Sequence, residues 1–115
     1  MQTILVVDDE SNMRFVVRTI LEGEGYTVIE APDGAVALDR TAESRPDVIV
    51  TDLMMPVMGG ADLIERLRAD PVTAEIPIVV LSASSLATSA DIVVGKPFKP
   101  EILVEAVGSL GGKET

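Results

Sequence analysis

The feature that most constrains this fold is a short aliphatic run that stops at a polar residue. The pattern occurs at Ile4–Val7, Val48–Thr51, Ile78–Leu81 and Ile92–Gly95. Runs of this length, rich in Val and Ile and without polar alternation, are typical of strands buried on both faces of a parallel sheet. Because the carboxyl ends of such strands meet at one edge of the sheet, we expect the residues after the runs to form one site.

The residues that follow these runs are three carboxylates, one hydroxyl and one ammonium group. They are Asp8, Asp9, Asp52, Ser82 and Lys96. Carboxylates a few Å apart disfavour joint ionisation, so we expect a cation to neutralise them. With only oxygen ligands, Mg²⁺ or Mn²⁺ fits better than zinc or copper. We then expect Asp52 to attack a phosphoryl group that the metal, Lys96 and Ser82 stabilise, giving an aspartyl phosphate.

Helical patterns lie between the predicted strands. Apolar spacing predicts helices from Ser11 to Gly23, from Ala35 to Ala42, through Leu63 to about Asp70, and from Pro100 to the glycines at 108–112, with a further strand at Tyr26 to Ile29. Strands that alternate with helices imply right-handed crossovers. The predicted fold class is therefore α/β, a flavodoxin-like, doubly wound, five-stranded parallel sheet of strand order 2-1-3-4-5.

Composition narrows the classes of function. The 115 residues fit one domain, expected over residues 1–112 with a short tail at 113–115. A formal net charge of −10 argues against binding to nucleic acid or to an anionic membrane. The absence of Cys and His excludes disulfides, zinc sites and histidine-based triads. No leader opens the chain and no apolar stretch approaches the roughly 18 residues of a membrane span, so we expect a cytoplasmic protein.

The polar residues belong to longer motifs that follow one another along the chain. These are Val6-Val7-Asp8-Asp9-Glu10, the segment from Asp47 to Pro56 with Met58-Gly59-Gly60, Leu81-Ser82-Ala83, and Lys96-Pro97-Phe98. Each motif alone is weak, but the ordered set covers nearly the whole chain. It resembles the receiver domain of two-component response regulators, and chemotaxis receivers in particular.

The resemblance implies a metal and phosphoryl site. Asp52 would accept the phosphoryl group. Asp9, Asp52 and the backbone carbonyl of Met54 would bind Mg²⁺, and Asp8 would help through a bound water. Such a domain would be a signalling receiver rather than an enzyme, assisting only its own phosphorylation and dephosphorylation.

The resemblance also implies a switch. Lys96 would pair with Asp52 or its phosphate, and Ser82 would be the hydroxyl that moves toward the phosphoryl oxygen on activation. The bond between Lys96 and Pro97 would be cis. Receivers usually carry Tyr or Phe three residues before the lysine, whereas this chain has Val93.

The implied partners are proteins. The phosphoryl group would come from a sensor histidine kinase or a histidine phosphotransfer protein. The chain ends shortly after the last predicted helix, so we expect output through contact with a downstream protein target, through a self-dimer or through phosphate relay. The alternative is a receiver-like interaction module that works without phosphorylation.

Plainer interpretations exist for each site residue. Asp8 and Asp9 could cap the first helix, and Asp52 could belong to a loop. Ser82 could be a turn residue and Lys96 a solvated lysine. Among other functions, a dinucleotide binder is disfavoured because the acidic first loop would repel phosphate. A hydrolase of the haloacid dehalogenase type is disfavoured because it would carry an Asp-x-Asp pattern at the first strand.

The connection between the fourth and fifth strands is short. Only Ala83 to Ala90, eight residues, separate Ser82 from Asp91. A parallel crossover normally takes about a dozen residues or more, so we expect the family's fourth helix to be absent or reduced to a loop. One face of these two strands would then be uncovered, which predicts an output surface at Ala87, Val93 and the last helix.

Overall fold

The protein forms one parallel sheet in a computed structural model that describes residues 2–53, 58–82 and 90–112. Its strands are β1 (Thr3–Val7), β2 (Thr27–Ala31), β3 (Val48–Asp52), β4 (Ile78–Ser82) and β5 (Ile92–Gly95). They lie in the order β2-β1-β3-β4-β5 and all pair in parallel. The predicted α/β fold class and strand order are confirmed.

Four α-helices occur within the described ranges. They are α1 (Ser11–Gly23), α2 (Gly34–Ser44), α3 (Gly60–Ala69) and α4 (Pro100–Val107), and a π-helical turn at Gly108–Gly112 follows α4. The second helix begins one residue before its predicted start because the Asp33 carboxylate accepts a hydrogen bond from the Val36 N–H at 2.9 Å. No helix in these parts of the chain is long and apolar enough to cross a membrane.

The second strand lies later in the chain than predicted. It runs from Thr27 to Ala31 instead of from Tyr26 to Ile29, because it pairs along the full length of β1. Thr27 lies opposite Thr3 and Ala31 lies opposite Val7. The partner strand, rather than the local apolar pattern, determines both ends.

The sheet is covered on both faces. On one face, Val79 and Leu81 of β4 belong to the apolar cluster that contains Leu103 of α4. On the other, Ile78 and Val80 belong to the cluster that contains residues of α2 and α3. All five residues of β4 are buried, so the prediction of an uncovered face is wrong for this strand.

On β5, one residue of the predicted output surface is exposed, and the assignment of that surface stays a prediction. Val93 exposes 44% of its surface. Residues 83–89 lie outside the described residues. The prediction that the fourth family helix is absent or reduced to a loop therefore stays a prediction, as does the placement of Ala87.

Candidate functional site

The register of the sheet brings the strand ends to one edge. Val7 lies opposite Thr51, and Asp52 lies opposite Leu81. Ser82 lies opposite Gly95, the residue before Lys96. The residues that end or follow β1, β3, β4 and β5 therefore lie side by side, as the strand-end pattern predicted.

Three carboxylates form the centre of this edge. Asp8, Asp9 and Asp52 each offer one oxygen that lies within 4.8 Å of the other two. They differ in exposure, since Asp8 is buried, Asp52 is half-buried and Asp9 is exposed. Met54, whose backbone carbonyl is a further ligand implied by the resemblance, lies outside the described residues.

Asp8 is held firmly and leaves one oxygen without a hydrogen bond. Its N–H donates to the Ala31 carbonyl at 3.1 Å, and its Oδ1 accepts from the Glu10 N–H at 2.9 Å. That second bond is the turn contact expected of an acidic residue before a helix. Its Oδ2 is buried without a hydrogen-bond partner among the described residues. This turn contact therefore accounts for only one of the two Asp8 oxygens, and the Glu10 cap of α1 makes no side-chain capping hydrogen bond.

The surroundings of Asp8 disfavour its charge. Burial raises the pKa of this carboxyl above its ordinary value of 3.8, although the hydrogen bond from Glu10 lowers it. The negative charge of Asp52 raises the pKa further, and the positive charge of Lys96 partly offsets that effect. An unpartnered buried oxygen among all-oxygen donors fits a hard divalent cation, which would remove both the repulsion and the missing contact.

Lys96 is directed into the acidic cluster rather than into solvent. Its Nζ lies 3.4 Å from Oδ1 of Asp52 and 3.8 Å from Oδ2 of Asp8. The backbone contributes to this position, because the Lys96 N–H donates to the Ser82 carbonyl at 2.9 Å. The peptide bond between Lys96 and Pro97 is cis. Ser82 itself is buried at the end of β4.

Gly60 has a steric role that its sequence motif did not reveal. A Cβ at this position would collide with the carbonyl oxygen of Asp52 and would lie 2.8 Å from Cα of Leu53. The Gly60 N–H also donates to the Leu53 carbonyl at 2.8 Å. The start of α3 thus packs directly on the backbone that presents Asp52, which only glycine allows.

The fold and the acidic site define a receiver domain, and comparison with protein families agrees. The model of the response regulator receiver domain matches residues 4–108. The chain belongs to this family.

Relatives and solved structures of several kinds are similar to the chain. The DNA-binding response regulator MtrA of Mycobacterium tuberculosis H37Rv is 40% identical over 114 residues, which cover 92% of this chain and 49% of MtrA. The chain thus spans about half the length of this curated relative. The chemotaxis response regulator CheY4 of Vibrio cholerae superimposes with a TM-score of 0.89 at 32% identity, covering 96% of this chain and 98% of CheY4.

One solved relative contains a metal. The receiver domain of sensor histidine kinase PA1611 from Pseudomonas aeruginosa PAO1 has a magnesium ion coordinated in its active-site cleft. It superimposes with a TM-score of 0.89 at 27% identity and covers 95% of this chain and 96% of its own.

Proposed function

We propose that this domain accepts a phosphoryl group on Asp52 with the help of Mg²⁺ and signals through protein contacts. The observation that carries the proposal is the position of Asp52, whose Oδ1 lies 3.4 Å from the Lys96 ammonium. The two further carboxylates beside it supply the oxygen ligands of a hard cation. In this proposal the domain is a signalling receiver that assists only its own phosphorylation and dephosphorylation.

The proposed reaction transfers a phosphoryl group from a histidine nitrogen of the donor protein to a carboxylate oxygen of Asp52. An oxygen of the Asp52 carboxylate forms a bond to phosphorus as the P–N bond of a phosphohistidine breaks. The electron pair of that P–N bond stays on the imidazole nitrogen, which is protonated. Bound Mg²⁺ would supply positive charge that stabilises the phosphoryl oxygens and offsets the repulsion among the carboxylates.

Lys96 and Ser82 would stabilise the product. The ammonium of Lys96, already within 4 Å of Asp52 and Asp8, would pair with a phosphoryl oxygen once Asp52 is phosphorylated. Ser82 would place its hydroxyl at the same group from the end of the neighbouring strand. A hydrogen bond from Ser82 would then link the state of Asp52 to the segment that follows β4.

The surface beside the site suits a protein donor. An apolar groove of about 450 Å³ lies between α1 and the segment after β5, with Met13, Val16 and Phe98 next to Lys96. Phe15 and Val16 of α1 expose 68% and 45% of their surfaces. Exposed apolar residues at the mouth of a site are typical of a protein interface. They support a sensor histidine kinase or a histidine phosphotransfer protein as the donor.

We place the output surface on β5 and α4. Val93 and Ile102 expose 44% and 47% of their surfaces and line the same groove. Because β5 leads directly to Lys96, a change at the phosphoryl group would reach this surface through one short strand. The partner would be a downstream protein target or a second copy of the domain.

The Asp52→Asn variant tests the phosphoacceptor assignment. We expect the wild-type domain to incorporate label from radioactive acetyl phosphate only when Mg²⁺ is present, and Asp52→Asn to incorporate none. The fold should survive, because the change removes one charge from a repelling cluster. Asp39→Asn, which removes an exposed carboxylate of α2, is the matched control and should label like the wild type.

The same experiment separates the proposal from its alternative. Labelling of Asp52→Asn at the wild-type rate would show that another residue accepts the phosphoryl group. A wild-type domain that is not labelled by acetyl phosphate or by a phosphohistidine donor would favour an interaction module that works without phosphorylation.

A further inference from the structure

Arg14 links the acidic site to the β2 side of the sheet. It lies on α1, and its side chain is only 18% exposed. Its Nη1 donates to the backbone carbonyl of Asp8 at 2.6 Å, while its Nε donates to Oε1 of Glu30 at 3.0 Å. A single guanidinium therefore joins Asp8, the residue after β1, to the neighbouring strand β2.

This contact completes the restraint on Asp8. The N–H, the carbonyl and Oδ1 of Asp8 are bonded to Ala31, Arg14 and Glu10, each on a different segment of the chain. Only Oδ2 is left without a hydrogen bond in the described structure, and it is the oxygen nearest Lys96. Arg14 provides the one side-chain donor in this set.

We propose that Arg14 is a positioning residue that holds Asp8 so that its Oδ2 faces the Mg²⁺ site. The inference rests on the proposed function, because it names a residue that tunes the metal site proposed there. A residue that hydrogen-bonds to a metal ligand and fixes its orientation changes the metal affinity without contacting the ion.

The charge of Arg14 cannot explain such an effect, because its sign is wrong. A cation beside a Mg²⁺ site repels the metal, so loss of a purely electrostatic influence would tighten Mg²⁺ binding. Glu30 further reduces that influence, since its two oxygens pair with Arg14 and with Arg18. Positioning and charge therefore predict opposite changes in affinity when the guanidinium is removed.

The test compares two variants that remove the same group. Arg14→Met removes the contact with Asp8, whereas Arg18→Met removes the other arginine bound to Glu30 and leaves Asp8 untouched. Calorimetric titration of the unphosphorylated domain with MgCl₂ gives the dissociation constant in each case. We expect Arg14→Met to weaken Mg²⁺ binding about tenfold and Arg18→Met to change it by less than about twofold.

A double variant decides whether Arg14 acts through Asp8. In an Asp8→Asn background, the Arg14→Met change should weaken Mg²⁺ binding by no more than about twofold, because its target is already altered. A loss that persists in that background would overturn the inference, as would equal losses for Arg14→Met and Arg18→Met. Tighter binding by Arg14→Met would also overturn it.

A measurement without metal gives an independent readout. Amide hydrogen exchange at Asp8 and Glu10, followed by NMR in the metal-free domain, should be faster in Arg14→Met than in Arg18→Met. Equal exchange rates in the two variants would contradict the positioning role.

The outcomes also distinguish this inference from the proposed function. If the wild-type domain bound no Mg²⁺, the proposed metal site would be wrong and the inference would fail with it. If the wild type bound Mg²⁺ and Arg14→Met bound it equally well, only the inference would fail.

Discussion

Asp8 and Asp52 are neighbouring carboxylates that differ in burial. Asp8 is buried, its ionised form is disfavoured, and one of its oxygens lacks a hydrogen bond. Asp52 is more accessible and has the Lys96 ammonium close to one oxygen. A nucleophile must be reachable by its substrate, whereas a metal ligand can be enclosed. The difference in environment therefore supports different roles for residues of the same type.

Gly60→Ala should destabilise the domain. The added methyl group would overlap the Asp52 carbonyl and the Leu53 backbone, and neither can move without disturbing the end of β3. Overpacking of this kind costs about 1–3 kcal/mol. Urea denaturation of the metal-free domain would measure the loss in free energy of unfolding.

Gly23→Ala is the control for this substitution. Gly23 is the last residue of α1, and a Cβ there would have no neighbour within 4 Å. We expect its unfolding free energy to stay the same or to rise by up to about 1 kcal/mol, since alanine is the better helix former. Equal stability of the two variants would show that the close approach at Gly60 is not a constraint.

The sequence allowed the five polar residues of the candidate site to be grouped at one edge of the sheet, because strand ends in a parallel sheet converge. Arg14 could not be found in this way. Its spacing on α1 indicates only a helical position beside the buried stripe, and its contact with Asp8 depends on how α1 crosses the sheet. The close approach of Gly60 to Asp52 could not be found either, because the motif Gly59-Gly60 indicates only a turn and not what packs against it.

At the scale of elements, β2 and α1 are joined by ion pairs at Glu30. Oε2 of Glu30 lies 2.6 Å from Nη1 of Arg18, and Oε1 lies 3.0 Å from Nε of Arg14. The hydrogen bond from Arg18, together with that from Arg14, lowers the pKa of Glu30 below its ordinary value of 4.5, although burial partly opposes this.

The pH dependence of stability follows from that shift. Because the pKa of Glu30 is lower in the folded state, its stabilising contribution is complete above pH 4.5 and is lost as the pH falls through the folded-state pKa. The difference in unfolding free energy between the wild type and Glu30→Gln should therefore be largest near neutral pH. It should shrink as the solution is acidified below 4.5.

Urea denaturation at several pH values would measure this difference. Glu65→Gln, which changes an exposed carboxylate of α3, should follow the wild type throughout. A Glu30→Gln difference that did not change with pH would mean that the ion pairs do not stabilise the fold.

The ends of elements were harder to predict than the elements themselves. Apolar periodicity located α1 correctly, because Gly23 and Gly25 mark its end. It misplaced β2, whose ends follow its pairing with β1, and it missed the start of α2, which follows the cap at Asp33. Pairing and capping are contacts between segments or side chains, and a periodic pattern does not contain them.

At the scale of the molecule, the proposed output surface can be tested by changing one of its exposed apolar residues, Val93. If phosphorylation joins two copies through β5 and α4, then Val93→Asp should abolish their association, because it places a charge in the apolar contact. Sedimentation of the domain treated with acetyl phosphate and Mg²⁺ would measure this as a loss of the dimer.

Val72→Asp is the matched control for Val93→Asp. Val72 exposes 66% of its surface, lies after α3 and lines a groove with residues of α2 and α3. It should leave association unchanged. If both variants still dimerised, the surface assignment would be wrong, and if the phosphorylated wild type stayed monomeric, the partner would have to be a different protein.

The strand order itself could be predicted because few arrangements of five parallel strands bury aliphatic runs on both faces. The exposure of β4 could not, since it depends on how α3 and α4 cover the sheet. Residues of α4 and α3 belong to the same two apolar clusters as the residues of β4, whereas the sequence assigned them only to the buried stripes of their own helices.

Strand β5 lies at the edge of the described sheet. The part of the site that contains Lys96 is therefore easier to disrupt than the part that contains the carboxylates. Only β4 pairs with it, and it contains four residues, two of them exposed. Short edge strands open more readily than central ones. Each opening would withdraw Lys96 from Asp52 while β1 and β3 still held the acids together. A sample that bulk measurements report as fully folded could therefore contain domains that do not accept a phosphoryl group. The fraction of such domains would depend on how often β5 opens.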